Sequence, residues 1–375
     1  MTKQTKIRAA LLVALLAIAL AGSFIYWSNQ PIESNSDLVV SQDEVEPLTP
    51  ATTNQPEKSL EDWARLYKDL KLVDAHNHGA ANVANGMKND MWNQYGVDRI
   101  VLFGNVSDPS ALHTDKLAWE AYQQHPERFI PFASGINLLE SDGVQMAKDY
   151  LERGFFGLGE IAAASTHSEA LAHSLWKTEH PMDGALPDIY ALCAQYKAPL
   201  LMHIDPPAGY PMQMLEEAAT KYPDTIFIFA HANAFNSPDN IRSLLKAHSN
   251  VYADFFAGFT VFNPSSAYKL EDYVPVIKEY PDRFLLGTDS GYGISSEEDA
   301  IQAIYMLIEV VDDPEVAEKI ASGNIERLIR EQRATRTQLA AISQLEDKSG
   351  KKFDTSNMSK EEAGRLLIDA DQASE

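Results

Sequence analysis

The feature that most constrains the fold is an alternation running from about residue 58 to 330, in which short apolar runs are each followed by a segment of helical spacing. The runs are Leu72–His76, Arg99–Phe103, Phe129–Ala133, Phe156–Ile161, Pro199–Ile204, Ile226–His231, Val251–Phe255 and Phe284–Asp289. Several are apolar without interruption, as in Ile226-Phe227-Ile228-Phe229-Ala230. Strands buried on both faces have this composition, which favours a parallel sheet wrapped by helices. Helical spacing is expected near Asp90–Tyr95, Leu112–Gln124, Val144–Arg153, Pro187–Tyr196, Met212–Tyr222, Asn240–Ala247, Leu270–Tyr280 and Glu297–Val311. Prolines in His125-Pro126-Glu127, Tyr222-Pro223-Asp224 and Tyr280-Pro281-Asp282 separate helix from strand, because the residue before proline avoids helical geometry. Eight such units match an α/β fold of the (β/α)8 TIM-barrel type, whose usual length is about 250 residues.

Five of the runs end in side chains that bind metals or move protons. Val73-Asp74-Ala75-His76-Asn77-His78 closes the first run with His-x-His. In an extended strand, residues two apart face the same way, so His76 and His78 can aim two imidazoles at one point. Glu160 follows two glycines in Gly157-Leu158-Gly159-Glu160, where the competing role is a buried ion pair. His203 ends Leu200-Leu201-Met202-His203, and His231 ends Phe229-Ala230-His231 as a second-metal ligand or a substrate contact. Asp289 ends Leu285-Leu286-Gly287-Thr288-Asp289, as metal ligand and proton acceptor, with a helix N-cap as the competing role. Strand-end ligands of this kind place a metal at the barrel mouth, where an ion lowers the pKa of water from about 15.7 to about 7. A nearby carboxylate can then act as general base.

Asp74 is expected to support the site, and Asn105, Ser134, Asn233 and Tyr292 to line the active face or pack its loops. Asp205-Pro206-Pro207 reads as a rigid turn. His113, His125, His167, His173, His180 and His248 fall in helices or loops, with surface or structural roles expected; His167, His173 and His180 lie in the long segment after the fourth run, where overhang of the barrel mouth and a substrate contact by one of them is the alternative.

Composition and the two ends of the chain set the outer limits. The 375 residues carry a net charge of −23, which repels phosphate backbones and argues against nucleic acid as a partner. Cys193 is the only cysteine, so no intramolecular disulfide and no thiolate cluster is possible. Residues 1–30 read as a membrane anchor or signal: Lys3, Lys6 and Arg8 precede an apolar run from Ala9 to Trp27. That run approaches the roughly 20 residues that span a bilayer, and the basic residues stay on the cytoplasmic side. The barrel is then expected on the outer side, periplasmic or extracellular, with secretion after cleavage near Ala19-Leu20-Ala21 as the alternative. Residues 31–57 are polar and aperiodic and read as a flexible linker. Residues 58–330 form the barrel, and 331–375 a helical C-terminal extension in which Asp354-Thr355-Ser356 divides two helices.

The stretches Arg128-Phe129-Ile130-Pro131-Phe132-Ala133, Arg283-Phe284-Leu285-Leu286-Gly287-Thr288-Asp289 and Gly323-Asn324-Ile325-Glu326-Arg327-Leu328 carry a family resemblance over about residues 70 to 330. With the order His-x-His, Glu, His, His, Asp, the chain resembles the amidohydrolase superfamily, and within it the amidohydrolase-2 family. The resemblance implies a (β/α)8 barrel with one or two divalent ions, commonly zinc. By position it implies that His76, His78, His203 and Asp289 hold metal, that His231 binds a second metal or polarises substrate, and that Glu160 bridges two ions. Gly159-Glu160-Ile161 also resembles TatD-like metal-dependent hydrolases, which continue with Gly-x-Asp where this chain has Ala162-Ala163-Ala164.

The expected function is metal-dependent hydrolysis of a small-molecule ester, lactone, amide or phosphoester, with Asp289 and His231 as the catalytic pair. A non-hydrolytic decarboxylase of the amidohydrolase-2 type is one alternative, and a catalytically inactive, metal-bearing binding protein another. The expected partners are the small-molecule substrate and, through the N-terminal segment, the membrane; a homo-oligomer is compatible with all three readings.

Overall fold

Eight parallel strands follow one another around a barrel in chain order. They are β1 (Leu72–Asn77), β2 (Val97–Leu102), β3 (Phe129–Ala133), β4 (Gly157–Ser165), β5 (Leu200–Asp205), β6 (Phe227–Phe229), β7 (Val251–Phe255) and β8 (Phe284–Leu286). The computed structural model describes residues 58–373 apart from 87, 206–210 and 235. The expected anchor or signal (1–30) and linker (31–57) lie outside the described residues, as do Pro206 and Pro207 of the expected turn. Among the described residues no helix is long and apolar enough to cross a membrane.

The uninterrupted apolar runs are explained by burial on both faces: every residue of β3 to β8 is buried. Inside, side chains fill the barrel; outside, the helices cover it. Gly157 shows how tight the packing is, because a Cβ there would stand 2.4 Å from the Phe132 ring. Between β8 and β1 the closure is made by a side chain. Asp74 accepts hydrogen bonds from Thr288 N (2.9 Å) and Thr288 Oγ1 (2.6 Å), tying the last strand to the first.

Three strands end two or more residues away from the sequence expectation. β6 stops at Phe229 and β8 at Leu286, so His231 and Asp289 lie in the turns beyond them. Both hold left-handed backbone, with φ of +35° at His231 and +47° at Asp289, which ends a strand. β4 instead runs on to Ser165, so Glu160 lies inside the strand and not at its end. Two short helices that periodicity did not show, Ala80–Ala84 and Ala257–Phe262, follow β1 and β7.

The C-terminal residues form two helices, Arg336–Ser349 and Lys360–Gln372, separated by a segment that contains Asp354-Thr355-Ser356. Each begins with a reciprocal capping box, Thr335 with Gln338 and Ser359 with Glu362. The hairpin packs under the barrel at the N-terminal ends of the strands. Lys360 Nζ donates to Phe155 O (2.9 Å) and Gln332 Nε2 to Phe156 O (2.7 Å), just before β4 begins. Arg99, near the start of β2, pairs with Glu326 (2.6 Å) and Glu361 (2.9 Å). The opposite end of the barrel is left open for the site.

Candidate metal centre

His76 lies within β1 and His78 one residue past it, and their Nε2 atoms are 3.2 Å apart. The alternation of an extended strand brings them to one point, as the spacing predicts. Glu160, projecting from β4, lies between this pair and a second one. Its Oε2 is 3.5 Å from His78 Nε2, and its Oε1 is 3.9 Å from His76 Nε2. The same Oε1 is 3.1 Å from His203 Nδ1 and 3.2 Å from His231 Nε2. The ligand atoms therefore form two groups, His76 with His78 and Glu160, and Glu160 with His203 and His231. Glu160 belongs to both.

Asp289 stands against the first group, its Oδ1 3.4 Å from His76 Nε2 and 3.3 Å from His78 Nε2. It is not a helix N-cap; Ser296 caps the Glu297–Val311 helix. Left-handed backbone at Asp289 and Ser290 turns the carboxylate inward. Such backbone costs of order 1–3 kcal/mol per residue and persists where surrounding contacts impose it. Here Ser290 Oγ accepts from His78 N (2.9 Å), locking the β1 and β8 turns together. Gly159 plays the corresponding part before Glu160. Its φ is +136°, and a Cβ would sit 2.6 Å from Leu201 Cβ.

The donor set fits a cation. Gly104 O can only accept, and it lies 2.8 Å from His78 Nδ1, so that nitrogen carries the proton. Asp254 Oδ2 does the same for His76 Nδ1 at 2.8 Å. In the neutral rings both Nε2 lone pairs then point at each other across 3.2 Å, an arrangement that a shared positive charge relieves. Burial disfavours the His76 cation, yet Asp254, Asp289 and Glu160 outweigh it and push the pKa up to about 10. Burial likewise opposes the His203 cation, while Glu160 and Asp205 raise it to about 9. Glu160 is held well below the ordinary carboxylate range by His203, His231 and His76 against the cost of burial. Asp289 is lowered chiefly by His76, again against burial. The cluster thus attracts positive charge, and a divalent ion would enter by displacing protons.

The supporting residues are partly those expected. Asp74 holds the seam and also accepts from His76 N (3.1 Å) and Asn77 Nδ2 (2.7 Å). Asn105 and Tyr292 line the cavity above the cluster. Ser134 and Asn233 have packing roles instead: Ser134 bonds to Asp115 and Asn105 O, and Asn233 pins Phe256 at both its N–H and C=O. His113, His125 and the other loop histidines make no ligand group among the described residues.

Sequence reasoning missed Asp254, Asp205 and Glu297. Asp254 is fully buried near the end of β7, and its Oδ2 also accepts from His231 N (2.9 Å), so one carboxylate steadies a member of each group. A charged residue inside the apolar run Val251-Tyr252-Ala253-Asp254-Phe255 was the available signal. Asp205, expected in a turn, is the last residue of β5, two after His203 and on the same face. Glu297 is buried at the start of its helix, where it accepts from Asn77 Nδ2 (2.8 Å) and Trp92 Nε1 (2.6 Å) and pairs with Lys88. Nothing in its local sequence separates it from an ordinary first-turn acid.

Comparison with known proteins agrees with this architecture. A TIM-barrel protein from Bordetella bronchiseptica superposes with a TM-score of 0.52 at 15% identity, covering 68% of this chain and 97% of its own. An amidohydrolase from Burkholderia multivorans with bound HEPES gives 0.50 at 9% identity, covering 68% and 98%. A TatD homologue from Escherichia coli K12 gives 0.49 at 16% identity, covering 69% and 98%. At these identities the first two superpositions show the fold alone. Among curated proteins there is no significant match. The family model described as Amidohydrolase (Amidohydro_2) matches residues 94–330, more than half of the sequence, and the chain belongs to that amidohydrolase family.

Proposed function

We propose that the protein is a metal-dependent hydrolase of a small-molecule ester, lactone, amide or phosphoester. The observation that carries the reading is Glu160, one carboxylate shared by two groups of histidine ligands. His76, His78 and Glu160, with Asp289 beside them, would hold one divalent ion, and Glu160, His203 and His231 a second. Imidazole and carboxylate donors without thiolate suit zinc and similar divalent ions. Bound there, such an ion supplies Lewis acidity and acidifies water to near neutral pKa.

The chain's own residues do the rest. Asp289 is ionised at neutral pH because His76 and the neighbouring imidazoles favour its anion. It faces the cavity, where it accepts a proton from the attacking water and returns it to the leaving group. Asp254 and Gly104 O fix the ring orientation of His76 and His78. The cavity of about 1270 Å³ above the cluster has room for a small organic substrate.

Elemental analysis of the purified full chain, followed by a panel of esters, lactones, amides and phosphoesters with aromatic and unsaturated carboxylic acids beside them, tests the proposal. Two ions per chain and turnover that chelation abolishes are expected. One ion per chain with carbon dioxide release would move the assignment to a decarboxylase. Absence of both metal and turnover would move it to a binding protein.

A further inference from the structure

Asn77 stands between the two histidines of the first group, and strand alternation turns its side chain away from theirs. It is fully buried and does not line the cavity. Every hydrogen-bonding position of its carboxamide is taken. Nδ2 lies 2.7 Å from Asp74 Oδ2 and 2.8 Å from Glu297 Oε1, so its two hydrogens go to two carboxylates. Oδ1 accepts from Gly79 N (2.8 Å) and from Ser290 Oγ (3.3 Å). Ser290 Oγ in turn accepts from His78 N (2.9 Å). Asp289 and Ser290 both hold left-handed backbone, which persists only where neighbours impose it. The Ser290 hydroxyl, caught between His78 N and Asn77 Oδ1, is such a constraint.

Glu297 anchors the far end of this network. Its buried carboxylate also accepts from Trp92 Nε1 (2.6 Å), in the helix Asn89–Gln94, and pairs with Lys88. A buried ion pair adds little net stability over apolar packing of the same volume, so the worth of this one lies in the position it imposes. Among the described residues, the side-chain hydrogen bonds of Asn77 and Glu297 reach β1 and the turn after it, the turn after β8, and Lys88 and Trp92. None reaches β4, β5 or β6, the strands that carry Glu160 and His203 and lead to His231.

We propose that Asn77 and Glu297 are positioning residues for the first ion alone. They hold the His78 backbone and the Asp289 turn together, and the second group, Glu160 with His203 and His231, does not depend on them. The inference rests on the two-ion reading proposed above.

Titration of the metal-free full chain with cobalt(II), read by visible absorption under chelator competition, tests it. Two backgrounds separate the groups: His203→Ala leaves the first intact, and His78→Ala the second. Adding Asn77→Ala is expected to weaken cobalt binding about tenfold or more in His203→Ala, as loss of a residue behind a ligand does, and by less than about threefold in His78→Ala, where the sites are independent. Equal weakening in both backgrounds assigns Asn77 a general structural role and overturns the proposal, as does no weakening in His203→Ala. In the same His203→Ala background, Glu297→Ala should reproduce the loss, and Glu297→Gln, which keeps an acceptor for Asn77 and Trp92, should restore most of it. Parental affinity in Glu297→Ala, or no restoration by Gln, overturns the part given to Glu297. Should Asn77→Ala fail to fold, Ser290→Ala takes its place, since it removes only the hydroxyl link to His78; the same selective loss is expected, and its absence overturns the proposal. One equivalent of cobalt in the parent removes the two-ion reading. Tenfold weakening of that single ion by Asn77→Ala leaves this inference standing, and unchanged binding removes it as well.

Discussion

Asp254 offers the sharpest test of how the centre is held. One oxygen of a fully buried carboxylate receives both His76 Nδ1–H (2.8 Å) and the His231 amide (2.9 Å). Asp254→Asn keeps the shape and removes the charge. The carboxamide oxygen can still accept from one or both donors, so the variant is expected to fold. What it loses is the negative charge that fixes the His76 proton on Nδ1 and makes Nε2 a better ligand. A hydrogen bond to a charged group contributes about 1.5–3 kcal/mol, and loss of a carboxylate behind a ligating histidine typically costs about 10–100-fold in metal affinity or activity. The two estimates agree, since 100-fold corresponds to about 2.7 kcal/mol. Competition with a calibrated chelator measures the affinity, and circular dichroism of the metal-free protein checks the fold. An affinity within twofold of the parent in a folded variant would refute the role assigned to Asp254.

Four further outcomes are expected. Asp289→Asn should cost about 10²–10⁴-fold in kcat, the usual worth of a general base, while the variant still folds; near-normal turnover of a true substrate removes the assignment. Gly159→Ala forces a side chain into φ +136° and within 2.6 Å of Leu201 Cβ, so it should lower the melting temperature and the metal content together, and an unchanged metal content would show that Glu160 tolerates the shift. Burial holds the Lys360 amine down at about 7 against an ordinary value of 10.5, so between those values the unfolded chain binds more protons and stability should rise with pH. Denaturant titrations at pH 6.5 and 9 should show that rise in the parent and a smaller one in Lys360→Met; equal slopes would count against a neutralised lysine. Finally, we propose that residues 1–30 anchor the chain, so fractionation of cells expressing it should place the protein with membranes, and recovery in the soluble fraction would argue for cleavage or for no export.

How far the site was legible can be judged residue by residue. His76 and His78 were readable because a period of two within a strand is a local rule, and the short contact between their Nε2 atoms follows from it. Glu160, His203, His231 and Asp289 were readable as polar residues ending or interrupting apolar runs. Asp254 met the same criterion and was passed over, because an acid with no neighbouring histidine looks like any other strand residue. Asp205 was hidden by the two prolines after it, which suggested a turn beginning one residue too early. The stopping points of β6 and β8 were not visible either, since left-handed backbone at His231 and Asp289 is imposed by contacts with β7 and β1.

Chain order and periodicity were enough for an eight-unit parallel barrel with its chemistry at one end, because burial on both faces and strand alternation are consequences of local composition. The sharing of Glu160 between two histidine pairs, the Asp74 clasp between β8 and β1, and the single Asp254 oxygen serving both His76 and His231 belong to the tertiary structure alone. Each joins residues far apart in the chain, Asp74 and Thr288 being separated by 214 positions. Their distances are decided by how the barrel closes, and no local pattern in the sequence carries that information.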